Sequence, residues 1–279
     1  MAVYAAQVSK LDAALARVLG VLQEQGASDN TLVMVLSDNG GCPELLREDV
    51  VPEEVWPSSV PRSTFEGRPV QVGNQLGLKP GGPDTFMSYD LCWANLSNTP
   101  FRRFKRWVHE GGIATPLIVH WPERIAAPGL VHAPVHIVDI MPSVLEATGA
   151  GYPSAWAGTP TPRLAGESFG AAFGDPARMG RRRLHFEHEG HRAVRDGDWK
   201  LVGIRFGEWE LYNLEQDRTE TVDLSGREAK RVADMERSWH AWASAVGADP
   251  TIFADSGLIE SRYVSIDPAL RSRYRHGAI

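Results

Sequence analysis

Thr31-Leu-Val-Met-Val-Leu36, running directly into Ser37-Asp38-Asn39-Gly40-Gly41, decides the fold class of this chain. A β-branched apolar run closed by a carboxylate, an amide and two glycines reads as a buried strand with oxygen donors at its carboxyl end. In open α/β sheets, ligands bind just outside such ends. Asp38 and Asn39 both offer oxygen, and Gly40-Gly41 lets the backbone turn closely around a bound ion, so the pair suits a hard cation. Two ligands do not complete a site, and alone the pair is more commonly a turn or cap.

Upstream, Val3, Val8, Leu11, Leu15, Val18, Leu19 and Leu22 recur at three- and four-residue steps, which predicts an amphipathic helix stopped by Gly26. No basic segment precedes it, so it does not read as an export signal. Downstream, residues 42–88 are rich in Pro, Gly and Ser, including Pro80-Gly-Gly-Pro83, and read as a surface excursion near the site. Pro116-Leu-Ile-Val-His-Trp121 predicts a second buried strand, and 135–149 a helix carrying Val138, Ile140, Met141, Val144 and Leu145. Helix, strand, long loop, strand and helix make the tail of an α/β layer arrangement.

After about Leu164 the pattern changes to short alternating, aromatic-rich segments at 184–189, 192–195, 199–202 and 208–212. Tight turns such as Asp196-Gly197-Asp198 make them an antiparallel meander. A helix over 226–246, with Ala229, Val232, Met235, Trp239 and Trp242 on one stripe, can cover that sheet. The expected division is therefore a core part, 1–164, and a smaller subdomain with an irregular tail, 165–279.

At 279 residues, 43% hydrophobic and 23% charged, the composition is that of a globular chain. A net charge of −6 gives no general drive toward nucleic acid or anionic membrane, and no apolar stretch approaches a spanning length. Cys42 and Cys92 build neither a disulfide framework nor a zinc-type pair. The compartment, cytoplasmic or periplasmic, is left open.

Several ordered motifs carry a resemblance: Asp38-Asn-Gly-Gly41; Asn98-Thr-Pro-Phe-Arg-Arg-Phe-Lys105; His109-Glu-Gly-Gly-Ile-Ala-Thr-Pro-Leu-Ile-Val-His-Trp-Pro122; Asp139-Ile-Met-Pro-Ser-Val-Leu-Glu146. With Glu187-His-Glu-Gly190, Ala193-Val-Arg-Asp-Gly-Asp-Trp-Lys-Leu201 and Leu211-Tyr-Asn-Leu214, they resemble the second half of a type I sulfatase, arylsulfatases in particular. The resemblance implies an incomplete core sheet of the sulfatase/alkaline-phosphatase type with helices, followed by a small antiparallel α+β subdomain. It also implies a small-molecule sulfate ester as substrate, calcium on Asp38 and Asn39, and Lys105 against the sulfate oxygens. Calcium polarises the sulfate, and an ammonium neutralises a nonbridging oxygen as the ester breaks.

Such enzymes also use a formylglycine made from a Cys/Ser-x-Pro/Ala-x-Arg motif, which this sequence lacks. Cys42 is followed by Pro43-Glu44-Leu45-Leu46, Cys92 by Trp93-Ala94-Asn95-Leu96, and Ser59-Val60-Pro61-Arg62 has its arginine one place early. No Asp-Asp pair is present to complete a calcium shell. Three expectations follow: the isolated chain turns over no sulfate ester and folds poorly; Met1 is an internal methionine of a longer frame, or the gene is split or decayed; and a missing amino-terminal half is the partner. The alternatives are a phosphate or phosphonate ester hydrolase of the same superfamily and a non-catalytic binding or assembly remnant.

Around these positions, Arg102, Arg103 and Arg106 read as surface charge, and His109 and His120 as packing or hydrogen-bonding groups. His185, His188 and His191 should scatter over strand faces, with His188 in a structural role. Trp199 and Tyr212 read as core aromatics, and Glu110-Gly-Gly112 as a tight turn positioning Lys105.

Overall fold

The computed structural model describes residues 1–44, 46, 62–125, 129–175, 178–180, 182–205 and 207–248. The Ser59-Val60-Pro61 segment, much of the predicted excursion and the tail from 249 lie outside the described residues.

The amino-terminal heptad-like pattern forms helix α1, Ala2–Glu24, after which Gly26 takes a left-handed φ of +66°. Its first turn is tied down where Tyr4 stacks on Tyr89, ring centroids 4.7 Å apart. Strand β1, Val33–Leu36, emerges next. In the 62–88 stretch two short strands, β2 (Gln71–Val72) and β3 (Thr85–Phe86), pair in parallel, and helix α2 covers Asp90–Ser97 with Ala94 buried. A single helical turn, α3, spans Glu110–Ile113. Strand β4, Leu117–His120, then pairs antiparallel with β1 in the register Val33↔His120 to Leu36↔Leu117. Both strands were expected to be buried. They form a two-stranded sheet in which Leu36 on one face and Ile118 on the other are exposed, and among the described residues each strand has one neighbour.

The predicted helix at 135–149 begins as a 3-10 turn, Ile137–Asp139, and continues as α4, Ile140–Thr148. His136 N–H donates to Asp139 Oδ2 (2.7 Å), which caps the turn, and Gly149 at φ +69° ends the helix. A small hairpin, β5 (Ala155–Trp156) and β6 (Thr159–Pro160), follows.

Strands β7 (Arg183–His188), β8 (His191–Asp196), β9 (Trp199–Gly203) and β10 (Trp209–Asn213) form an antiparallel meander in the order β10-β9-β8-β7. Glu189 and Gly190 both have positive φ at the first two-residue turn, as the twist of a hairpin requires. The pleat divides the side chains strictly. Val194, Leu201 and Leu211 face helix α5 (Ala229–Val246), where Met235, Trp239 and Ala243 meet them. Their alternate neighbours Ala193, Val202 and Tyr212 pack with Leu214 and Val108 on the opposite face, joined there by Ile113. The segment that carries α3 is thus fastened to the carboxyl-terminal sheet.

Candidate functional site

The Asp38 turn is shaped by its own short side chains. Ser37 Oγ donates to Asn39 O (3.0 Å), Asn39 N–H to Asp38 Oδ1 (3.0 Å), and Asn39 Nδ2 to Gly40 O (2.8 Å). Asp38 Oδ2 and Asn39 Oδ1 have no hydrogen bond among the described residues, and Asp38 is exposed. The donor set suits a hard cation in kind but falls short in number, since calcium takes six to eight oxygens. Among the described residues no three His, Cys, Asp or Glu side chains converge on a common point.

Glycines weld this turn to the loop carrying Lys105. Gly40 N–H donates to Gly112 O (3.1 Å), Lys105 N–H to Gly41 O (3.0 Å), and Gly111 N–H to Arg102 O (2.8 Å). Asn98 bridges both sides, accepting from Gly41 N–H (3.0 Å) and donating to Arg103 O (3.1 Å). A Cβ on Gly40 would lie 1.9 Å from Gly111 O, and one on Gly112 1.9 Å from Trp107 O. No side chain fits either contact. Gly40→Ala is accordingly expected to cost about 1–3 kcal/mol of stability by overpacking. A thermal melt identical to that of the parent protein would show that the two turns do not meet.

Lys105 follows from this wrapping. Its Nζ lies 3.2 Å from Glu44 Oε1 and 3.9 Å from Cys42 Sγ, with about a third of the side chain exposed. The two sequence-predicted parts, the Asp38-Asn39 turn and Lys105, are therefore joined through the backbone. The ammonium is held by Glu44, a partner that sequence reasoning did not single out. Burial pushes the Cys42 thiol up, so it rests protonated.

Two expectations about neighbouring residues are corrected. Arg102, Arg103 and Arg106 are not solvated surface charge. Arg102 Nη1 binds Glu210 Oε2 (3.0 Å), Tyr212 Oη (2.9 Å) and Glu220 O (3.3 Å). Arg103 is buried with its guanidinium 4.2 Å from the Trp107 ring centre, and Arg106 Nε donates to Glu189 Oε2 (2.7 Å). Burial alone would raise the Glu210 carboxyl, but His109, Tyr212 and the Arg102 charge hold it down at about 2.

The second correction concerns Glu110-Gly111-Gly112, which is a helical turn built around a buried charge rather than a plain tight turn. Glu110, Lys200 and Glu220 are at most 1% exposed. Lys200 Nζ lies 2.9 Å from Glu110 Oε1 and 2.8 Å from Glu220 Oε1, while Glu110 N–H donates to Glu220 Oε2 (2.8 Å). Arg218 (3.4 Å) and Arg195 (3.8 Å) add positive charge beside Glu110. Burial would raise the Glu110 carboxyl, but Lys200 and then the arginines keep it below the usual range. The available signal was Lys200 itself, a charge inside a strand whose neighbours on both faces are apolar.

The histidines do scatter. His185 stacks on Trp242 and shares a hydrogen bond with Ser238 Oγ (2.8 Å), on the α5 side. His191 packs on Trp107 at 4.4 Å, next to buried His109. His120 and His188 are exposed, so the structural role expected of His188 is not seen. Burial first, and then Arg106, lowers the His191 pKa from 6.5 to about 3. Because the folded value is depressed, the unfolded chain takes up the proton first, so this stability is present above pH 6.5 and lost as pH falls. Its share is about 2 kcal/mol by pH 5. Urea midpoints measured from pH 7 to 5 should fall, and His191→Asn should flatten the decline; equal slopes for the two proteins would contradict the assignment.

Comparison with known proteins gives a consistent picture. A family model described as Sulfatase matches residues 1–150, and one described as N-sulphoglucosamine sulphohydrolase, C-terminal, matches residues 101–240. An uncharacterized sulfatase of Schizosaccharomyces pombe is 29% identical over 255 residues, covering 88% of this chain and 44% of its own length. An arylsulfatase of Klebsiella aerogenes is 29% identical over 185 residues, covering 66% of this chain and 36% of its own. Among solved structures, Ps i-CgsB has a TM-score of 0.57 at 20% identity, over 91% of this chain and 48% of its own. PsFucS1 sulfatase from Pseudoalteromonas sp. reaches 0.55 at 17%, over 92% and 43%. The chain thus spans less than half the length of the relatives it matches.

Proposed function

The chain belongs to the sulfatase family, and from that premise we propose that it supplies the calcium-holding and sulfate-contacting part of a sulfate ester hydrolase. The observation that carries this reading is the joint between the Asp38 turn and the Lys105 loop, made by Gly40 N–H to Gly112 O and Lys105 N–H to Gly41 O. These bonds support the reading because they join the backbone of the turn that carries the oxygen pair to that of the loop that carries the ammonium.

Asp38 and Asn39 are the residues that would hold calcium, which when bound polarises the sulfate group and stabilises negative charge on it. Lys105 binds a nonbridging sulfate oxygen. Its partially exposed pair with Glu44 is of the kind worth only about 0–1 kcal/mol, so a substrate oxyanion can take the carboxylate's place at small cost. The buried Glu110–Lys200–Glu220 group holds the loop that presents Lys105, and Gly40–Gly41 holds the turn that presents the oxygens.

The family's formylglycine does not fit here: neither cysteine is followed by the required arginine. Residues 1–279 are therefore proposed to be inactive alone, with the nucleophile and the remaining calcium ligands coming from sequence beyond them. 4-Nitrophenyl sulfate should be untouched by the purified chain and hydrolysed once a polypeptide bearing Cys/Ser-x-Pro/Ala-x-Arg and an Asp-Asp strand end is joined to it. Hydrolysis of 4-nitrophenyl phosphate in preference to the sulfate would favour the phosphate or phosphonate alternative.

A further inference from the structure

The loop that carries Lys105 adopts a backbone its residue types disfavour. Among the described residues six non-glycine positions have left-handed φ, and four of them, Arg103 (+71°), Arg106 (+85°), Glu189 (+53°) and Glu220 (+55°), belong to this loop or to the segments that bind it. Such conformations are uncommon outside glycine, asparagine and aspartate, and they persist only where the surroundings over-determine them. Arg106 and Glu189 determine each other. Arg106 Nε donates to Glu189 Oε2 at 2.7 Å and Nη2 reaches the same oxygen, a pair made across 83 positions with side chains only 22% and 23% exposed. Glu189 opens the two-residue turn between β7 and β8, where asparagine or aspartate would suit the positive φ better, and Arg106 stands where glycine would.

What the pair adds is control over its neighbour. Turning Arg106 to a negative φ would rotate the chain before it against the chain after it. The chain after it is fixed to the sheet: the Trp107 ring packs on His191 of β8 at 4.4 Å and on the Arg103 guanidinium at 4.2 Å, and Glu110 is held by Lys200. The chain before it ends in Lys105, whose N–H donates to Gly41 O and whose Nζ reaches Glu44. We propose that Arg106 and Glu189 are positioning residues: their ion pair clasps the loop to the β7–β8 turn and keeps Arg106 in the left-handed conformation that delivers the Lys105 ammonium to the Cys42–Glu44 side of the Asp38 turn. That the ammonium there meets a sulfate oxygen rests on the function proposed above; its placement by the clasp does not.

Glu189→Asn and Arg106→Gly test this, because each relieves its own left-handed backbone while removing the clasp, so both variants should melt near the parent protein. The readout is trace acetylation of the full chain with acetic anhydride, measured by peptide mass spectrometry against the exposed Lys10 and Lys79. Labelling of Lys105 should rise severalfold in each variant as the amine leaves its seat beside Glu44, while the fully buried Lys200 stays unlabelled. Unchanged labelling of Lys105 overturns the proposal. So does a rise matched at Lys200, which would mean that the pair serves stability alone. In the assembled enzyme the same variants should lower kcat/KM for 4-nitrophenyl sulfate by about 10–100-fold, the scale of a misplaced group. Undiminished turnover together with raised Lys105 labelling would uphold the clasp and count against the sulfate role of Lys105.

Discussion

Lys200→Met should remove about 3–5 kcal/mol of stability, the range expected when one member of a buried ionic group is deleted. Lys200 is completely buried and is the only lysine touching both Glu110 and Glu220 among the described residues. Without it, two carboxylates remain side by side in a water-poor interior, with Arg195 and Arg218 at the margin of Glu110 and the Glu110 N–H on Glu220 as the remaining partners among the described residues. Methionine keeps the volume, so the loss reads the charge and not a cavity. The effect also has a pH signature. The Glu110 carboxyl is lowered in the fold, so its contribution is present above the unfolded value of 4.5 and fades as acid titrates it. The gap between parent and Lys200→Met should therefore be widest near neutrality and narrow toward pH 4. Adding Glu110→Gln to Lys200→Met should recover part of the deficit, since it removes one stranded charge. A urea midpoint unchanged by Lys200→Met would mean that the buried group holds nothing in place.

Lys105→Ala, introduced into the assembled enzyme, should reduce kcat/KM for 4-nitrophenyl sulfate by about 10²–10³, the usual effect of deleting one fixed donor to a developing oxyanion. Stability should hardly change, because the pair that Lys105 makes with Glu44 is partly open to water. That contrast separates it from Lys200, whose loss acts first on folding and only then on rate. Lys105→Arg should keep a measurable part of the activity, since it retains the charge but not the ammonium's compact geometry. A rate unaffected by Lys105→Ala would take this side chain out of the site.

Where one periodicity rules, the fold was legible. The three- and four-residue steps of 3–22 place α1, the two-residue alternation of 184–212 places the meander with its turns, and the Met235–Trp239 spacing places the covering helix. Burial was less legible, because it depends on neighbours and not on the strand's own residues: the apolar run ending at Leu36 reads as interior, and the side chain is exposed. The missed part of the site has the same origin. Glu110 and Lys200 are 90 positions apart, and nothing local in Glu-Gly-Gly or Asp-Trp-Lys-Leu says that they meet. Arg102 likewise reads as one of a basic run until Tyr212 and Glu210 arrive beside it from the sheet. Pairing over such separations is a property of topology, which single-sequence patterns do not encode.

Calcium titration by isothermal calorimetry, comparing the assembled enzyme with its Asp38→Ala variant, bears most directly on the idea that the β1 turn is a metal-holding element. At least a tenfold weaker calcium affinity is expected in the variant, with the parent's thermal stability retained because Asp38 is exposed and bonds only its neighbouring backbone among the described residues. Equal calcium affinity in the two proteins would contradict it.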